Sequence, residues 1–210
     1  MMLLLMISVA ITTSTKYADL LKMTIPYNYT FFEKWYIITH PDDSETIDVV
    51  REYDHPNIEL VFFDFYKDGV LFDKGGAIRM IQQQIPSGTP VLLIDSDIIL
   101  PENFLQLIPL DMEPDALYST KFRHEFYSII NLRHKKPNKV YINDFSGFFH
   151  LYTQSPTRLY EHSRDASVCD FTFKNTFPFE KRVVLPDLIP KHLGREKINW
   201  QRRKGFDFVK

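Results

Sequence analysis

Residues 91–101, Val-Leu-Leu-Ile-Asp-Ser-Asp-Ile-Ile-Leu-Pro, are the stretch that decides the fold class of this chain. Four apolar residues run directly into two carboxylates, Asp95 and Asp97, and apolar residues resume until Pro101. Such a run, behind the turn signal Ser-Gly-Thr-Pro at 87–90, predicts a strand buried on both faces, as in a parallel sheet. Open α/β sheets bind ligands outside the carboxyl ends of their strands. The two aspartates are therefore expected to face a cleft.

The two aspartates require a partner, since burying unpaired carboxylates is too costly. Water, a cation or a metal ion can provide it. Oxygen ligands at this spacing suit a hard divalent ion that also carries phosphate oxygens. A solvated turn after a strand is the alternative, but turns seldom lie between two apolar runs of this length. The metal interpretation is therefore favoured.

Composition indicates one globular domain without an overall preference for polyanions. Of the 210 residues 44% are hydrophobic, enough for one sizeable core. The net charge is −2 and the pI is near 6.4, so nothing favours nucleic acid or an anionic membrane. Cys169 is the single cysteine, which excludes an intramolecular disulfide and fits a reducing cytosol. The apolar residues 1–7 are too few to span a membrane, so a soluble, cytoplasmic protein is predicted.

The first half of the chain alternates strand and helix patterns, which is typical of a parallel α/β sheet. Strands are predicted over residues 4–11, 35–39 and 58–65, with helices after Thr15 and over 45–53 and 77–85. Polar residues collect where strands end, with Thr12 and Thr13 after the first and Thr39 and Asp42 around the end of the second. Such a junction either offers hydroxyl and N–H groups to a nucleotide or caps the next helix. Arg79, one turn into the third helix, can face a diphosphate.

The second half of the chain is less regular. Strands are predicted at residues 116–120, 141–152 and 183–186, and helices at 156–161 and 163–173. The basic and aromatic segment 121–139 is interpreted as a solvated excursion, because basic runs most often lie on the surface. Ser146-Gly147 interrupts the middle strand, which predicts a bulge or a close approach of the backbone to a ligand. Basic residues then crowd a tail that starts near Lys191.

An α/β first half, an Asp-x-Asp after an apolar strand and a later acidic helix together resemble the GT-A glycosyltransferases over nearly the whole chain. Asp95-Ser96-Asp97 matches the family's DxD motif, which binds Mn²⁺ or Mg²⁺ bridging the diphosphate of a nucleotide sugar. The resemblance implies a GT-A, Rossmann-like three-layer α/β sandwich with a mostly parallel central sheet. It also implies a single domain over residues 1–210, with a nucleotide-binding half over about 1–100 and an acceptor-binding half over about 101–210.

Carried over position by position, the resemblance implies roles for three groups of residues. Asp95, Asp97 and His192, whose His-Leu-Gly sequence is similar to the family's C-terminal metal ligand, would bind the metal ion. Asp170 would be the general base, although Cys169 stands where the family has its first acid. The implied reaction transfers a sugar, with inversion, from a UDP-sugar to a glycan or glycoprotein. The nucleotide sugar would contact Thr12, Thr13, Thr39, Asp42, Lys74, Arg79, Asp95, Ser96, Lys191 and Arg195.

The chemistry explains why these groups are needed together. Displacing a nucleoside diphosphate leaves negative charge on phosphate oxygens, which a divalent ion neutralises. The acceptor hydroxyl loses its proton as it attacks, and a carboxylate within reach can accept it. Aromatic residues are candidates for stacking on sugar faces, namely Phe148, Phe149, Tyr152 and Trp200.

Other interpretations remain open. A haloacid-dehalogenase-type phosphatase would use Asp95 as its nucleophile, but Ile98-Ile99 follows here and no later Gly-Asp-x-x-x-Asp motif occurs. A nucleotidyltransferase needs a Gly-rich phosphate loop near the first strand, and residues 12–15, Thr-Thr-Ser-Thr, contain no glycine. A non-catalytic carbohydrate- or nucleotide-sugar-binding domain would keep the fold without turnover.

Overall fold

The computed structural model describes residues 6–142, 145, 147–194, 206 and 208. Within these residues, eleven strands form one sheet of seven and one of four. The strands are β1 (Ile7–Thr13), β2 (Phe32–Thr39), β3 (Ile58–Phe62), β4 (Pro90–Ile94), β5 (Ile98–Ile99), β6 (Leu117–Thr120), β7 (Phe122–Phe126), β8 (Lys139–Ile142), β9 (Phe149–Thr153), β10 (Arg182–Leu185) and β11 (Lys191–Leu193). The α-helices are α1 (Ala18–Asn28), α2 (Ser44–Tyr53), α3 (Lys74–Gln82), α4 (Phe104–Leu107), α5 (Ile129–Arg133) and α6 (Ala166–Asn175).

The large sheet has the order β3-β2-β1-β4-β9-β6-β10 and is mostly parallel. Of its described strands only β9 is antiparallel to its neighbours, β4 and β6. β1 lies parallel between β2 and β4, so the carboxyl ends of these three strands meet at one edge. The predicted mostly parallel α/β sheet is confirmed, with the apolar run of residues 91–94 at its centre.

The two faces of the large sheet carry separate apolar cores. Leu92 and Ile94 of β4 pack on one face against residues of α1 and α2, while Val91 and Leu93 pack on the other against α3 and α6. Successive strand residues point to opposite faces, so a strand covered by helices on both sides must be apolar throughout. This requirement explains the unbroken apolar run that precedes Asp95. The result is the predicted three-layer arrangement of helix, sheet and helix.

The small sheet corrects the prediction that residues 121–139 form a solvated excursion. Its order is β5-β11-β7-β8. β7 lies within the segment predicted to be an excursion, and β8 begins at the last residue of that segment, Lys139. The polar residues of β7 misled the prediction because they are internal: Arg123 is 8% exposed, Glu125 is fully buried, and the two form an ion pair. The supposed tail also contributes a strand, β11, which pairs with both β5 and β7.

Several predicted boundaries differ from those observed. Residues 156–161 form no helix, and the predicted helix over 163–173 begins only at Ala166. Helix α3 begins at Lys74 because the side chain of Asp73 accepts a hydrogen bond from the amide of Gly76 and caps it. The first strand extends to Thr13, two residues beyond the prediction, and the predicted positions 4 and 5 lie outside the described residues. No helix in the described part of the chain is both long enough and apolar enough to cross a membrane.

Candidate active site

The carboxyl ends of β1, β2 and β4 bring the predicted polar segments together. Thr12 and Thr13 end β1, Thr39 ends β2, and residues 95–97 follow β4 directly. Because the three strands are parallel neighbours, these segments lie at the same edge of the sheet. This is the edge at which open α/β sheets bind their ligands.

A buried lysine joins two carboxylates from distant parts of the chain. Lys74, the first residue of α3, is 8% exposed, and its Nζ donates to Asp95 Oδ1 at 3.1 Å and to Asp170 Oδ2 at 3.0 Å. Burial alone would lower the pKa of Lys74, but the charges of Asp170 and Asp95 raise it well above its ordinary value. Lys74 is therefore a fixed cation between the DxD segment and helix α6. The structure brings together three residues that the resemblance had assigned to separate tasks.

The two carboxylates bound by Lys74 differ in exposure. The side chain of Asp95 is 38% exposed and that of Asp170 is 16% exposed. Partial burial raises the pKa of Asp95, Lys74 opposes that rise, and the charges of Asp97 and Asp170 add to it. Asp170 is covered by the backbone at Gly147, where a Cβ would lie 1.8 Å from the carboxyl carbon of Asp170. Gly147 thus allows the close backbone approach that the sequence predicted, and the group it approaches is the carboxylate of Asp170.

A second buried row of charged groups lies beside the first. Asp97 Oδ2 lies 3.2 Å from His192 Nε2, and both residues are buried. The other ring nitrogen of His192 is 3.9 Å from Glu125 Oε1, too far for a hydrogen bond. Glu125 accepts hydrogen bonds from Arg123 Nη2 at 3.1 Å and from the hydroxyl of Tyr127 at 3.3 Å. The predicted pairing of Asp97 with His192 is therefore present in space, and the small sheet supplies the support behind His192.

The donor groups at this edge fit a divalent cation in their chemistry. Carboxylates from Asp95 and Asp97 suit both Mn²⁺ and Mg²⁺, whereas the imidazole of His192 suits Mn²⁺ better. Among the residues that the structure describes, no three His, Cys, Asp or Glu side chains are already arranged around one point. Asp95 Oδ1 already accepts a hydrogen bond from Lys74, so Asp97 and His192 are the two candidate metal ligands that lie together.

The threonine hydroxyls at the strand ends take part in the fold itself. Thr12 Oγ1 donates to Ile94 O at 2.8 Å and accepts from Trp35 Nε1 at 3.0 Å, which ties β1 to both neighbours. Thr39 Oγ1 is buried and donates to Asp43 Oδ2 at 3.2 Å. Thr13 is half-buried at the end of β1. Their predicted contacts with a nucleotide stay predictions.

The carboxylate that organises this corner is Asp43, which the sequence analysis did not single out. Asp43 accepts from the amide of Lys16 at 2.7 Å and caps α2 through the amide of Thr46. Burial would raise the pKa of Asp43, but these hydrogen bonds outweigh it and lower the pKa. The side chain of Asp42, which was singled out, is 91% exposed. The cap pattern at Asp43-Ser44 was the available signal.

The remaining predicted contacts are spread around the site. Ser96 is buried, and its carbonyl accepts from Thr24 Oγ1 at 2.9 Å. Arg79 Nη1 donates to Tyr160 O at 3.2 Å. Lys191 precedes His192 in β11 and therefore points to the opposite face of the small sheet. Arg195 lies outside the described residues.

The aromatic residues proposed for sugar stacking are part of the core. Phe148 is 3% exposed, and Phe149 and Tyr152 are fully buried. Stacking on a sugar requires an accessible ring face, so the prediction is wrong for these three residues. Trp200 lies outside the described residues.

Asp73 connects the start of α3 to the segment before α6. Its Oδ1 accepts from the amides of Gly76 and Ser163, both at 2.8 Å, and its Oδ2 lies 2.6 Å from His162 Nδ1. Burial would raise the pKa of Asp73, but the hydrogen bonds from Ser163, His162 and Gly76 lower it below its ordinary value of 3.8. Asp73 therefore fixes the helix end that presents Lys74.

We expect Asp73→Asn to lower the free energy of unfolding at neutral pH by about 1 kcal/mol, because asparagine keeps an acceptor for the amides but loses the charge that strengthens these hydrogen bonds. Because the folded-state pKa of Asp73 is depressed, its contribution is complete above the ordinary pKa of 3.8 and is lost as pH falls towards the folded-state value. Urea unfolding at a series of pH values should show the two proteins converging in acid. Asp48→Asn, at an exposed position of α2, is the control and should run parallel to the wild type.

Comparisons with known proteins identify the fold. The chain superposes on the glycosyltransferase GlyE of Streptococcus pneumoniae TIGR4 with a TM-score of 0.50 and 14% identity, covering 87% of this chain and 46% of GlyE. It superposes on the inositol-1-phosphate CTP transferase from T. maritima with a TM-score of 0.51 and 10% identity, covering 89% of each chain. The galactosyltransferase LgtC is similar at a TM-score of 0.47 and 9% identity, over 96% of this chain and 84% of LgtC.

These comparisons bear on the fold and not on the reaction. The chain spans about half the length of GlyE, and identities of 14% and 10% are too low to transfer an activity. No protein-family model matches the chain, and no curated protein sequence matches it either. The predicted fold is confirmed: the chain has the GT-A-like, Rossmann-like α/β fold shared by these glycosyltransferases and nucleotidyltransferases.

Proposed function

We propose that this chain is a metal-dependent glycosyltransferase that moves a sugar from a nucleoside-diphosphate sugar, with UDP as the nucleotide, to a glycan or glycoprotein. The observation that carries the proposal is the junction of Asp95, Lys74 and Asp170, next to the pair of Asp97 and His192. A cation, a candidate proton acceptor and a candidate metal-binding pair thus lie at the ligand-binding edge of the sheet. Each of the three has a role in glycosyl transfer from a nucleoside-diphosphate sugar.

Mn²⁺ is the cofactor that these donors fit best. Asp97 and His192 would hold the ion, and Asp95 would join them. When bound, such an ion neutralises the charge that develops on the departing diphosphate. Phosphate oxygens of the donor would supply further oxygen ligands.

Lys74 adds a second positive charge to the diphosphate side. It is buried at the first position of α3, a helix of nine residues. Its contacts with Asp95 and Asp170 hold Nζ in one place, so no reorganisation is needed as charge develops. Arg79, Lys191 and Arg195 remain proposed contacts of the nucleotide sugar.

Asp170 is the proposed general base. Its carboxylate faces the same lysine as Asp95, which places it beside the donor-binding residues and within the partly exposed part of the site. An acceptor hydroxyl that approaches the anomeric carbon can donate its proton to this carboxylate. A single base of this kind corresponds to transfer with inversion of the anomeric configuration.

A nucleotidyltransferase is the second candidate, because the T. maritima CTP transferase superposes over 89% of both chains. Such an enzyme needs a long, glycine-rich phosphate loop after its first strand. Here β1 ends at Thr13 and α1 begins at Ala18, and residues 14–17, Ser-Thr-Lys-Tyr, contain no glycine. Glycosyl transfer is therefore the better-supported proposal. The phosphatase alternative is less well supported because the fold is GT-A-like and the sequence lacks the later Gly-Asp-x-x-x-Asp motif.

The two reactions are distinguished by what they release. The protein should be incubated with UDP-sugars and Mn²⁺, with and without a mixture of glycan acceptors, and separately with CTP or UTP and sugar phosphates. Release of UDP that requires Mn²⁺ supports the glycosyltransferase, and release of pyrophosphate supports the nucleotidyltransferase. Metal-dependent binding of a UDP-sugar without any release would instead indicate a non-catalytic binding domain.

We expect His192→Ala to weaken Mn²⁺ binding in the presence of UDP by roughly tenfold to a hundredfold. The reason is that Asp97 would remain as a ligand while the imidazole donor, 3.2 Å from it, is lost. Isothermal titration calorimetry measures the Mn²⁺ affinity, and UDP binding in a chelator should be unchanged. His134→Ala, at an exposed position directly after α5, is the matched control. Equal Mn²⁺ affinities of the wild type and His192→Ala would contradict the assignment.

A further inference from the structure

A row of hydrogen bonds extends from Asp170 into the core. The hydroxyl of Tyr160 lies 3.1 Å from Asp170 Oδ1 and 3.1 Å from His150 Nδ1. The other ring nitrogen of His150, Nε2, lies 3.0 Å from Phe145 O. Tyr160 and His150 are both fully buried, whereas Asp170 is partly exposed. The row therefore connects a carboxylate of the site with an imidazole that has no contact with bulk water.

The protons of this row can be counted. Phe145 O carries no proton, so the hydrogen at His150 Nε2 must belong to the ring. The single phenol proton of Tyr160 cannot serve both of its neighbours. If Tyr160 donates to Asp170, then His150 Nδ1 must also carry a proton to complete the row. If Tyr160 donates to His150, then Asp170 must carry a proton and donate it to the phenol oxygen.

Both complete arrangements hold the same number of protons. One places the extra proton on His150 and the other places it on Asp170. They differ only by the shift of two protons across the two hydrogen bonds of the Tyr160 hydroxyl. Without this extra proton, either the contact between Tyr160 and Asp170 or the contact between Tyr160 and His150 lacks a hydrogen-bond donor. The row is therefore built to take up one proton and to share it between its two ends.

Burial in the core favours a neutral His150 ring at rest. Burial lowers the pKa of His150, Asp170 opposes this effect, and Lys74 and Lys174 add to the lowering. The His150 ring also lies near Phe173, at a centroid distance of 6.0 Å, and Nδ1 contacts the hydroxyl of Tyr160. A neutral imidazole at the inner end leaves Nδ1 able to accept a proton.

We infer that Tyr160 and His150 are positioning residues for Asp170, which orient its carboxylate and share the proton that it takes from the acceptor hydroxyl. This inference rests on the proposed function. In the step, the acceptor oxygen forms its bond to the anomeric carbon, and the nucleoside diphosphate leaves with the electron pair of the broken bond. The acceptor proton binds to Asp170. A shift along the row then moves a proton from Asp170 to the Tyr160 oxygen and the phenol proton to His150 Nδ1.

The chain offers a matched pair of tyrosines for the test. Tyr152 and Tyr160 are both fully buried, both pack against Phe173, and both hydroxyls are hydrogen-bonded to buried polar groups. The hydroxyl of Tyr152 binds Gln82 at 2.7 Å, whereas that of Tyr160 binds Asp170. Substitution by Phe removes one buried hydroxyl in each case, so their stability costs are comparable. Only Tyr160→Phe breaks the row.

We expect Tyr160→Phe to lower kcat about tenfold with little change in the donor KM, as for a group that acts in the chemical step. Tyr152→Phe should retain the wild-type kcat. In an Asp170→Asn background, Tyr160→Phe should have no further effect, because Tyr160 acts through that carboxylate. Equal losses for the two tyrosine variants, or a full further loss in the Asp170→Asn background, would overturn the inference. If Tyr160→Phe does not fold, His150→Gln takes its place in the same cycle.

A second readout does not depend on turnover. Nitrogen-15 NMR of His150 should show the neutral ring protonated at Nε2, and Asp170→Asn should change the titration of the ring. Tyr160→Phe should remove most of that dependence on Asp170. A neutral ring protonated at Nδ1, or the same dependence with and without the phenol, would overturn the shared proton. Absence of all transfer with these NMR results intact would remove the proposed function alone.

Discussion

We expect Asp97→Ala to weaken Mn²⁺-dependent binding of a UDP-sugar by about a hundredfold or more, since removing a direct ligand should exceed the loss seen for supporting residues. Asp97 Oδ2 is 3.2 Å from His192 Nε2, and the two residues form the donor pair of the site. Without the Asp97 carboxylate, the imidazole would have to hold the ion with only Asp95, whose Oδ1 is bound to Lys74. Calorimetry with and without Mn²⁺ measures the effect, and binding in a chelator should be the same for both proteins.

Two further variants separate ligation from folding. Asp97→Asn keeps the size of the side chain and removes its charge, so it should weaken the metal-dependent part of binding while preserving the packing around His192. Asp48→Ala, at an exposed position of α2, should behave like the wild type. Thermal unfolding of each variant shows whether the fold persists. Wild-type affinity for the UDP-sugar and Mn²⁺ in a folded Asp97→Ala protein would remove the central claim about the DxD segment.

The sheet could be predicted from the sequence because its central strands obey a local rule. Val91 to Ile94 are covered by helices on both faces, and such strands must be apolar at every position. β7 breaks the corresponding rule, since its Arg123 and Glu125 are buried and satisfy each other. Burial of a charge depends on a partner that local hydrophobicity cannot reveal. The small sheet was therefore mistaken for surface.

The candidate site was predictable in its residue types and less so in its contacts. Asp95 and Asp97 follow from a local pattern, His192 and Asp170 follow from the family resemblance, and all four lie at or near one edge of the sheet. That Lys74 would join Asp95 to Asp170 depends on contacts between three distant segments, which no local pattern encodes. Asp42 was chosen from the sequence, whereas the residue that is bound at this corner is Asp43. Asp43 is the one that caps α2, and the exact cap position determines which of the two adjacent carboxylates is held.

We expect Asp170→Asn to lower kcat by roughly a hundredfold or more, a typical contribution of a general base, while donor affinity changes little. Asparagine preserves the size of the side chain and its contact with Gly147, a position where a Cβ would not fit. It cannot take up the proton of the attacking hydroxyl. It also keeps an oxygen that can accept from Lys74, but it removes one of the two negative charges beside that lysine. Steady-state rates with a saturating UDP-sugar, together with calorimetric donor binding, separate a loss of chemistry from a loss of binding.

Asp165→Asn is the control for this variant, because Asp165 precedes α6 only five residues before Asp170 and would compete for the role on sequence alone. Its effect on kcat should be much milder. Lys74→Met tests the other function of the carboxylate: if Asp170 served only to anchor Lys74, both variants would weaken donor binding alike. Near-normal transfer by Asp170→Asn would contradict the general base. So would a product that retains the donor's anomeric configuration, since retention does not proceed through a single in-line base.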